Sequence, residues 1–306
     1  MPDFAFNRRG KWRFDDDDDE TFAKRSRHRR ALPSVADAEA GLGLSDGDRW
    51  STWDSSTASE RGPEPYPAWL VTELAATDTD LGILKTGKEA DVFLLRRSVP
   101  GTQRSCLLAA KRYRAAEHRM FHRDAQYLEG RRARDSRVSR AMAKRTTAGR
   151  EMIAQQWANA EFSALCQLYP VGVAVPYPVQ VVGTELLAEF IGEPDGTAAP
   201  RLADCRPDPD ELARLWDQLV QALSTLAALG LTHGDMSAYN LLVDHGRLVM
   251  IDLPQVVDVI ANPQGAQFLE RDAANIAAWF TARGLRDAIP PPTDLAALLR
   301  AEARIG

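Results

Sequence analysis

The chain has 306 residues, 44% of them hydrophobic, which is enough for one large domain or two lobes with a real core. Its formal net charge of −5 argues against a bulk nucleic-acid binder, and no apolar run approaches the roughly 20 residues of a membrane span. The 3 cysteines, Cys106, Cys166 and Cys205, form no CxxC pair and suggest no disulfide framework, so a reducing cytoplasm is the expected compartment.

Residues 1–66 read as a charged tail. Arg8, Arg9, Lys11 and Arg13 give way to the acidic run Asp15 to Glu20, then to a second basic run from Lys24 to Arg30. No helical or strand period persists, so disorder is expected. Trp12, Trp50 and Trp53 are unusual in a purely solvating tail and keep open a binding or regulatory arm. The start, Met1-Pro2-Asp3, lacks the apolar core of a secretory signal.

Order is expected from a short amphipathic helix over Ala68 to Leu74. A strand follows at Leu81 to Leu84, then the turn Lys85-Thr86-Gly87-Lys88-Glu89 and a strand at Ala90 to Leu95. A turn with one glycine can still set backbone N–H groups and the Lys88 ammonium beside phosphates, although a plain hairpin explains it equally well. The next strand, Cys106 to Lys111, ends on a lysine in a chain where arginine is the usual cation. An apolar strand delivering one lysine into a cleft is a way to neutralise nucleotide α- and β-phosphates. Residues 112–148 are strongly basic with interspersed aromatics, either a solvated insertion or a surface for phosphates or RNA.

A helix is expected over about 148–169, with Trp157, Glu161, Leu165 and Leu168 on one face. A carboxylate on that stripe needs a cation, and Lys111 is the natural partner. The hairpin Val179 to Ile191 either leads into a hinge, where backbone groups could read adenine, or is an ordinary core hairpin ending at Gly192. Leu212, Leu215, Trp216, Leu219, Leu223 and Leu226 then repeat with helical period up to Gly230. Next comes Leu231-Thr232-His233-Gly234-Asp235-Met236-Ser237-Ala238-Tyr239-Asn240, a strand, a turn at Asp244-His245-Gly246, and a strand ending at Asp252. Asp235 to orient a hydroxyl, with Asn240 and Asp252 to hold Mg²⁺, is the set that phosphoryl transfer needs. Helices are expected again over 263–283 and 293–304.

Together these motifs resemble the RIO family of atypical serine/threonine protein kinases. The residues that carry the resemblance are Thr86-Gly87-Lys88-Glu89-Ala90, Lys111, Trp157 to Leu165, Glu189-Phe190-Ile191-Gly192, His233 to Asn240, Ile251 to Gln255 and Phe268 to Asp272. The resemblance covers roughly residues 68–285 and is RIO1-like in its front half. The excess of Arg over Lys and the abundant Ala suggest a bacterial source.

The resemblance implies an α+β, two-lobed, kinase-like fold without an activation segment. The lobes would span 67–190, with the insertion at 112–148, and 191–306. It implies that Thr86, Gly87 and Lys88 cover the phosphates, that Lys111 holds them while paired with Glu161, and that the backbones of Glu189 and Ile191 contact adenine. Asp235 would be the catalytic carboxylate, and Asn240 and Asp252 would bind Mg²⁺ or Mn²⁺. Asp252 would also be a candidate phosphoryl acceptor. Gly234 and Ala238 depart from the commoner Ala and Glu of the RIO1-type loop, and Leu253-Pro254-Gln255 is closer to a RIO2-type pattern.

Two other readings remain open at this point. One is a small-molecule phosphotransferase of the aminoglycoside or choline-kinase type. The other is an ATP-dependent switch that binds RNA or a ribosomal particle through residues 112–148. ATP is a partner in all three.

Overall fold

The computed structural model describes residues 48–114 and 147–305, apart from 286, 287 and 289. The charged runs between Arg8 and Arg30 and most of the basic segment 112–148 lie outside the described residues.

The first half of the molecule is a six-stranded antiparallel sheet in the order β1-β2-β3-β4-β6-β5. Its strands are β1 (Asp48–Trp50), β2 (Thr77–Thr86), β3 (Ala90–Ser98), β4 (Ser105–Tyr113), β5 (Pro178–Val182) and β6 (Glu185–Glu189). Helix α1 (Thr147–Leu168) enters between β4 and β5 in sequence.

Alternation along β4 sorts the sheet into two faces. Leu108 and Ala110 turn to a core with Leu95, Tyr177, Val179 and Leu187. Tyr113 and Leu186 turn the other way, into the core that holds Ala158, Phe162 and Leu165 of α1.

Trp53 and Leu70 are buried in the first of these cores, with Tyr66 packed against it. Residues 48–66 are therefore not a disordered tail; they form an edge strand and a strap. The strap is pinned by hydrogen bonds from Gly62 N–H to the Val179 carbonyl (3.0 Å) and from the Tyr177 hydroxyl to the Pro63 carbonyl (2.9 Å). A Cβ on Gly62 would lie 1.8 Å from the Pro178 carbonyl oxygen, so only glycine lets the strap come this close.

The helix expected over Ala68 to Leu74 does not form; the segment is turns and extended chain. Seven residues are too few to offset helix nucleation. The extended strap instead buries Leu70 and Val71 and leaves Leu74 outside.

The second half is mainly helical. Helix α2 (Pro209–Ala228) starts where Asp208 accepts from the Glu211 N–H (2.8 Å) and Pro209 presets the first turn. Its apolar stripe is buried as the spacing predicts, with Trp216 and Leu219 fully enclosed. A pair of two-residue strands, β7 (Leu231–Thr232) and β10 (Val257–Asp258), and the hairpin β8 (Leu241–Asp244) and β9 (Arg247–Met250) follow. Helices α3 (Gly265–Ala282) and α4 (Leu295–Glu302) close the half. The β8–β9 turn has positive φ at His245 and Gly246 (48° and 78°), matching the twist of a two-residue hairpin.

The expected α+β architecture is present. Two elements are shorter than expected: α3 begins at Gly265, and α4 is preceded by a 3₁₀ turn over Pro292–Asp294.

Candidate active site

One cross-strand row organises the cleft face of the sheet. Lys111 on β4 lies opposite Val92 on β3 and Leu186 on β6, and Val92 lies opposite Lys85 on β2. Facing residues in such a row share a side, so Lys111 and Lys85 emerge on the same face.

The Lys111 ammonium donates to Glu161 Oε1 at 2.9 Å and to Asp252 Oδ1 at 2.6 Å. Glu161 on α1 is buried, and its carboxylate also accepts from the Tyr113 hydroxyl and from the Leu253 N–H (3.1 Å). The pairing expected between Lys111 and Glu161 is present. The triad with Asp252 adds a link between the two halves of the molecule.

Burial works against the Lys111 charge, but Glu161, Tyr113 and Asp252 outweigh it and hold its pKa well above the usual lysine range. Burial likewise opposes the charge on Asp252, and Lys111 overrides it, keeping the carboxyl below its ordinary value.

Asp252 adopts φ of 66°, a left-handed conformation costly for a residue with a Cβ. It is fixed from both sides. Ile251 donates its N–H to the Asn240 carbonyl (3.0 Å) and its carbonyl meets His233 Nε2 (3.1 Å), while Leu253 is tied to Glu161. His233 is thus a support for the loop and not placed as a base.

Asn240 ends a 3₁₀ turn over Ala238–Asn240 and donates its side-chain amide to the Asp235 carbonyl (2.8 Å). That bond orients the amide and presents Oδ1 as the atom a cation could use. Asp235 is exposed at the cleft. The walls of the cleft strip water from its carboxyl and raise its pKa above the ordinary aspartate value, His233 opposing and the nearby Asp252 adding to the effect.

Asp272 on α3 anchors this loop. Its buried carboxylate accepts from Thr232 Oγ1 (2.8 Å), Gly234 N–H (2.6 Å) and Met236 N–H (3.0 Å). Arg271 donates to the Gly234 carbonyl. Gly234 has φ of 84°, and a Cβ there would meet the Gln255 carbonyl oxygen at 2.1 Å. Glycine at this position is therefore a local steric demand. The Tyr239 side chain is exposed.

The phosphate turn is less open than its motif suggests. Gly87 spends its N–H on the Ala90 carbonyl (2.9 Å), so that group is not offered to a ligand. Lys88 is exposed at the turn. The ammonium of this hairpin that lies in electrostatic reach of Asp252, Lys111 and Glu161 belongs to Lys85, which was not singled out from the sequence. The sequence reads Lys85 as the first residue of the turn, whereas β2 runs through it to Thr86 and pairs it with Val92. Thr86 sits one residue along, paired with Asp91.

At the hinge, Glu189 donates its N–H to the Tyr177 carbonyl (2.8 Å) and the Ile191 carbonyl accepts from Ala199 (3.0 Å). An adenine ring there would meet the Glu189 carbonyl and the Ile191 N–H.

No group of three or more His, Cys, Asp or Glu side chains capable of holding a metal occurs among the described residues. Asn240 and Asp252 still fit Mg²⁺, a hard cation that takes one or two protein oxygens and completes its shell with water and phosphate. Only 12 residues separate Asp252 from the start of α3 at Gly265, so no activation segment intervenes.

A family model for the RIO domain matches residues 102–291. The RIO-type serine/threonine-protein kinase Rio1 of Haloferax volcanii is 33% identical over 203 residues, covering 66% of this chain and 63% of that protein. The chain thus spans a little under two thirds of that relative. The protein of the same name from Thermoplasma acidophilum is 31% identical over 160 residues, covering 52% of this chain and 77% of that one. Among solved structures, the Rio2 kinase–ADP/Mg²⁺–phosphoaspartate complex of Chaetomium thermophilum superposes with a TM-score of 0.50 at 20% identity, covering 74% of this chain and 66% of that one. It supports the same two-lobed fold. The RIO-domain match spans more than half the chain and agrees with the motifs, the fold and the cleft, and on that basis this chain belongs to the RIO family.

Proposed function

We propose that the chain is a Mg-ATP-dependent RIO-type kinase that transfers the ATP γ-phosphate to a serine or threonine hydroxyl, with autophosphorylation or ATP hydrolysis as forms of the same chemistry. The observation that carries this reading is the hydrogen-bonded triad of Lys111, Glu161 and Asp252, beside a loop that presents Asp235 and Asn240. Lys111, held by Glu161, would neutralise the α- and β-phosphates. Thr86, Gly87 and Lys88 would cover them, and Glu189 and Ile191 would hold adenine through the two backbone groups named above. Asn240 and Asp252 would hold Mg²⁺ or Mn²⁺, which would supply charge neutralisation at the transferring phosphate.

Asp235 would orient the acceptor hydroxyl and take its proton as the oxygen attacks γ-phosphorus and ADP leaves. Its raised pKa suits that task better than an ordinary aspartate would. Asp252 is the second possible acceptor: attack by its carboxylate oxygen would give an acyl phosphate and ADP, and water would later release phosphate. The phosphoaspartate in the solved Rio2 complex supports this chemistry for the fold.

Asp235→Ala is expected to lower transfer from labelled ATP by about 10²–10⁴-fold. Unchanged transfer would overturn the reading. Membership of the RIO family weighs against the aminoglycoside or choline-kinase alternative. A serine/threonine protein substrate, a cytoplasmic location and a contact to RNA or a ribosomal particle through residues 112–148 are parts of the proposal. Sedimentation with ribosomal particles across a salt series tests the last of these, and binding that is insensitive to salt would contradict phosphate contacts.

A further inference from the structure

Two cations from opposite halves of the molecule, Lys85 and Arg201, act on each other electrostatically. Lys85 stands on the cleft face of β2, in the same cross-strand row as Lys111 and two strands away, a separation of roughly 10 Å at ordinary strand spacing. Arg201 precedes the 3₁₀ turn Leu202–Asp204 and is held by a backbone bridge to Leu242, two residues beyond Asn240. Burial, and after it the Arg201 charge, lowers the Lys85 pKa, and Lys85 also feels Asp252, Lys111 and Glu161. Among the described residues, neither the Lys85 ammonium nor the Arg201 guanidinium has a hydrogen bond or an ion pair. Lys111, in contrast, is already bound by two carboxylates deeper in the cleft.

We propose that Lys85 and Arg201 form a two-sided clamp for the γ-phosphate of the bound nucleotide, separate from the contact of Lys111 to the inner phosphates. The inference rests on the nucleotide-binding reading above and adds the residues that distinguish a triphosphate from a diphosphate. Its physical basis is charge and position. Lys85 stands within reach of Asp252, Arg201 is bridged to the strand that follows Asn240, and the two like charges act on each other, so an anion between them would relieve their repulsion. Arginine supplies a planar fork suited to phosphate oxygens, and lysine supplies a compact point charge. Because one cation comes from the sheet and the other from the helical half, a γ-phosphate between them draws the two together.

The test is calorimetric titration of the full chain with Mg²⁺ and either ADP or the β,γ-imido analogue of ATP, for wild type, Lys85→Met, Arg201→Met and Lys85→Arg. Loss of one charge-assisted contact corresponds to about tenfold in affinity. Each Met variant is expected to weaken the imido analogue by about tenfold and ADP by less than about twofold, with Lys85→Arg close to wild type. Thermal melting of each variant confirms that it folds. Equal weakening of both nucleotides, or no weakening of the imido analogue, would overturn the clamp while leaving the nucleotide site standing. Failure of wild type to bind either nucleotide would remove the underlying reading and the clamp with it.

Discussion

Three donors of one loop converge on Asp272: the Thr232 hydroxyl and the N–H groups of Gly234 and Met236. Removing the acceptor leaves those groups buried without a partner, at about 1–3 kcal/mol for each group left unpaired. Asp272→Ala is therefore expected to lower unfolding free energy by about 3 kcal/mol or more, measured by denaturant titration. Gly234→Ala adds a methyl where the Gln255 carbonyl already stands and at a positive φ. We expect it to cost at least about 2 kcal/mol in the same measurement.

The pH dependence also belongs to single residues. The Asp235 carboxyl is raised above its usual value, so transfer should fall on acidification, with an inflection above that of an ordinary aspartate. Asp252 is depressed, so its contribution to stability is present above the unfolded-state value of about 4 and is lost as pH falls through its lower folded value. Lys111 is raised, so its contribution is complete below about 10.4 and is lost only as pH rises through its higher folded value. Between these limits the triad should give a flat stability profile, and Asp252→Asn should remove the acid-side loss assigned to it. An unchanged acid limb in that variant would contradict the assignment.

At the scale of elements, the strap over residues 48–71 is where the structure adds most to the sequence. Trp53 is buried against Leu95, Leu108 and Leu187, and Arg61 stacks on its ring at 4.8 Å while donating to its carbonyl (2.6 Å). Trp53→Ala should destabilise the sheet half by about 3–5 kcal/mol in a thermal or denaturant melt. A change under about 0.5 kcal/mol would mean that the strap is dispensable. The tryptophans hinted at this, but no periodicity could: the strap lies down one side chain at a time and has only three residues in a strand. The helix α2 and the β8–β9 hairpin were legible because burial imposes a regular period on the chain and the turn demands His245-Gly246. Lys85 was hidden because the strand was expected to end at Leu84, whereas β2 continues to Thr86 and carries Lys85 into the row of Lys111.

For the whole molecule, the proposed function depends on the two halves meeting at one point. Lys111 from β4, Glu161 from α1 and Asp252 after β9 are separated by 50 and 141 residues in sequence, counted from Lys111, yet they share one ammonium. Their chemical types were legible from local motifs. Their contact was not, except for the argument that a carboxylate on an apolar helical face must find a cation. The Leu253 N–H bond to Glu161 then makes the loop after Asp252 a partner of the helix, a backbone contact that no side-chain pattern encodes. On the proposed function the resulting cleft would either transfer phosphate to a hydroxyl or hold it on Asp252, and one comparison separates these outcomes.

That comparison is intact-mass and peptide mass spectrometry of the full chain after incubation with Mg-ATP, for wild type, Asp235→Ala and Asp252→Ala. The account predicts phosphate on serine or threonine of the wild type, its loss in Asp235→Ala, and loss of any acyl phosphate in Asp252→Ala. Phosphate incorporation that is equal in all three proteins would contradict it.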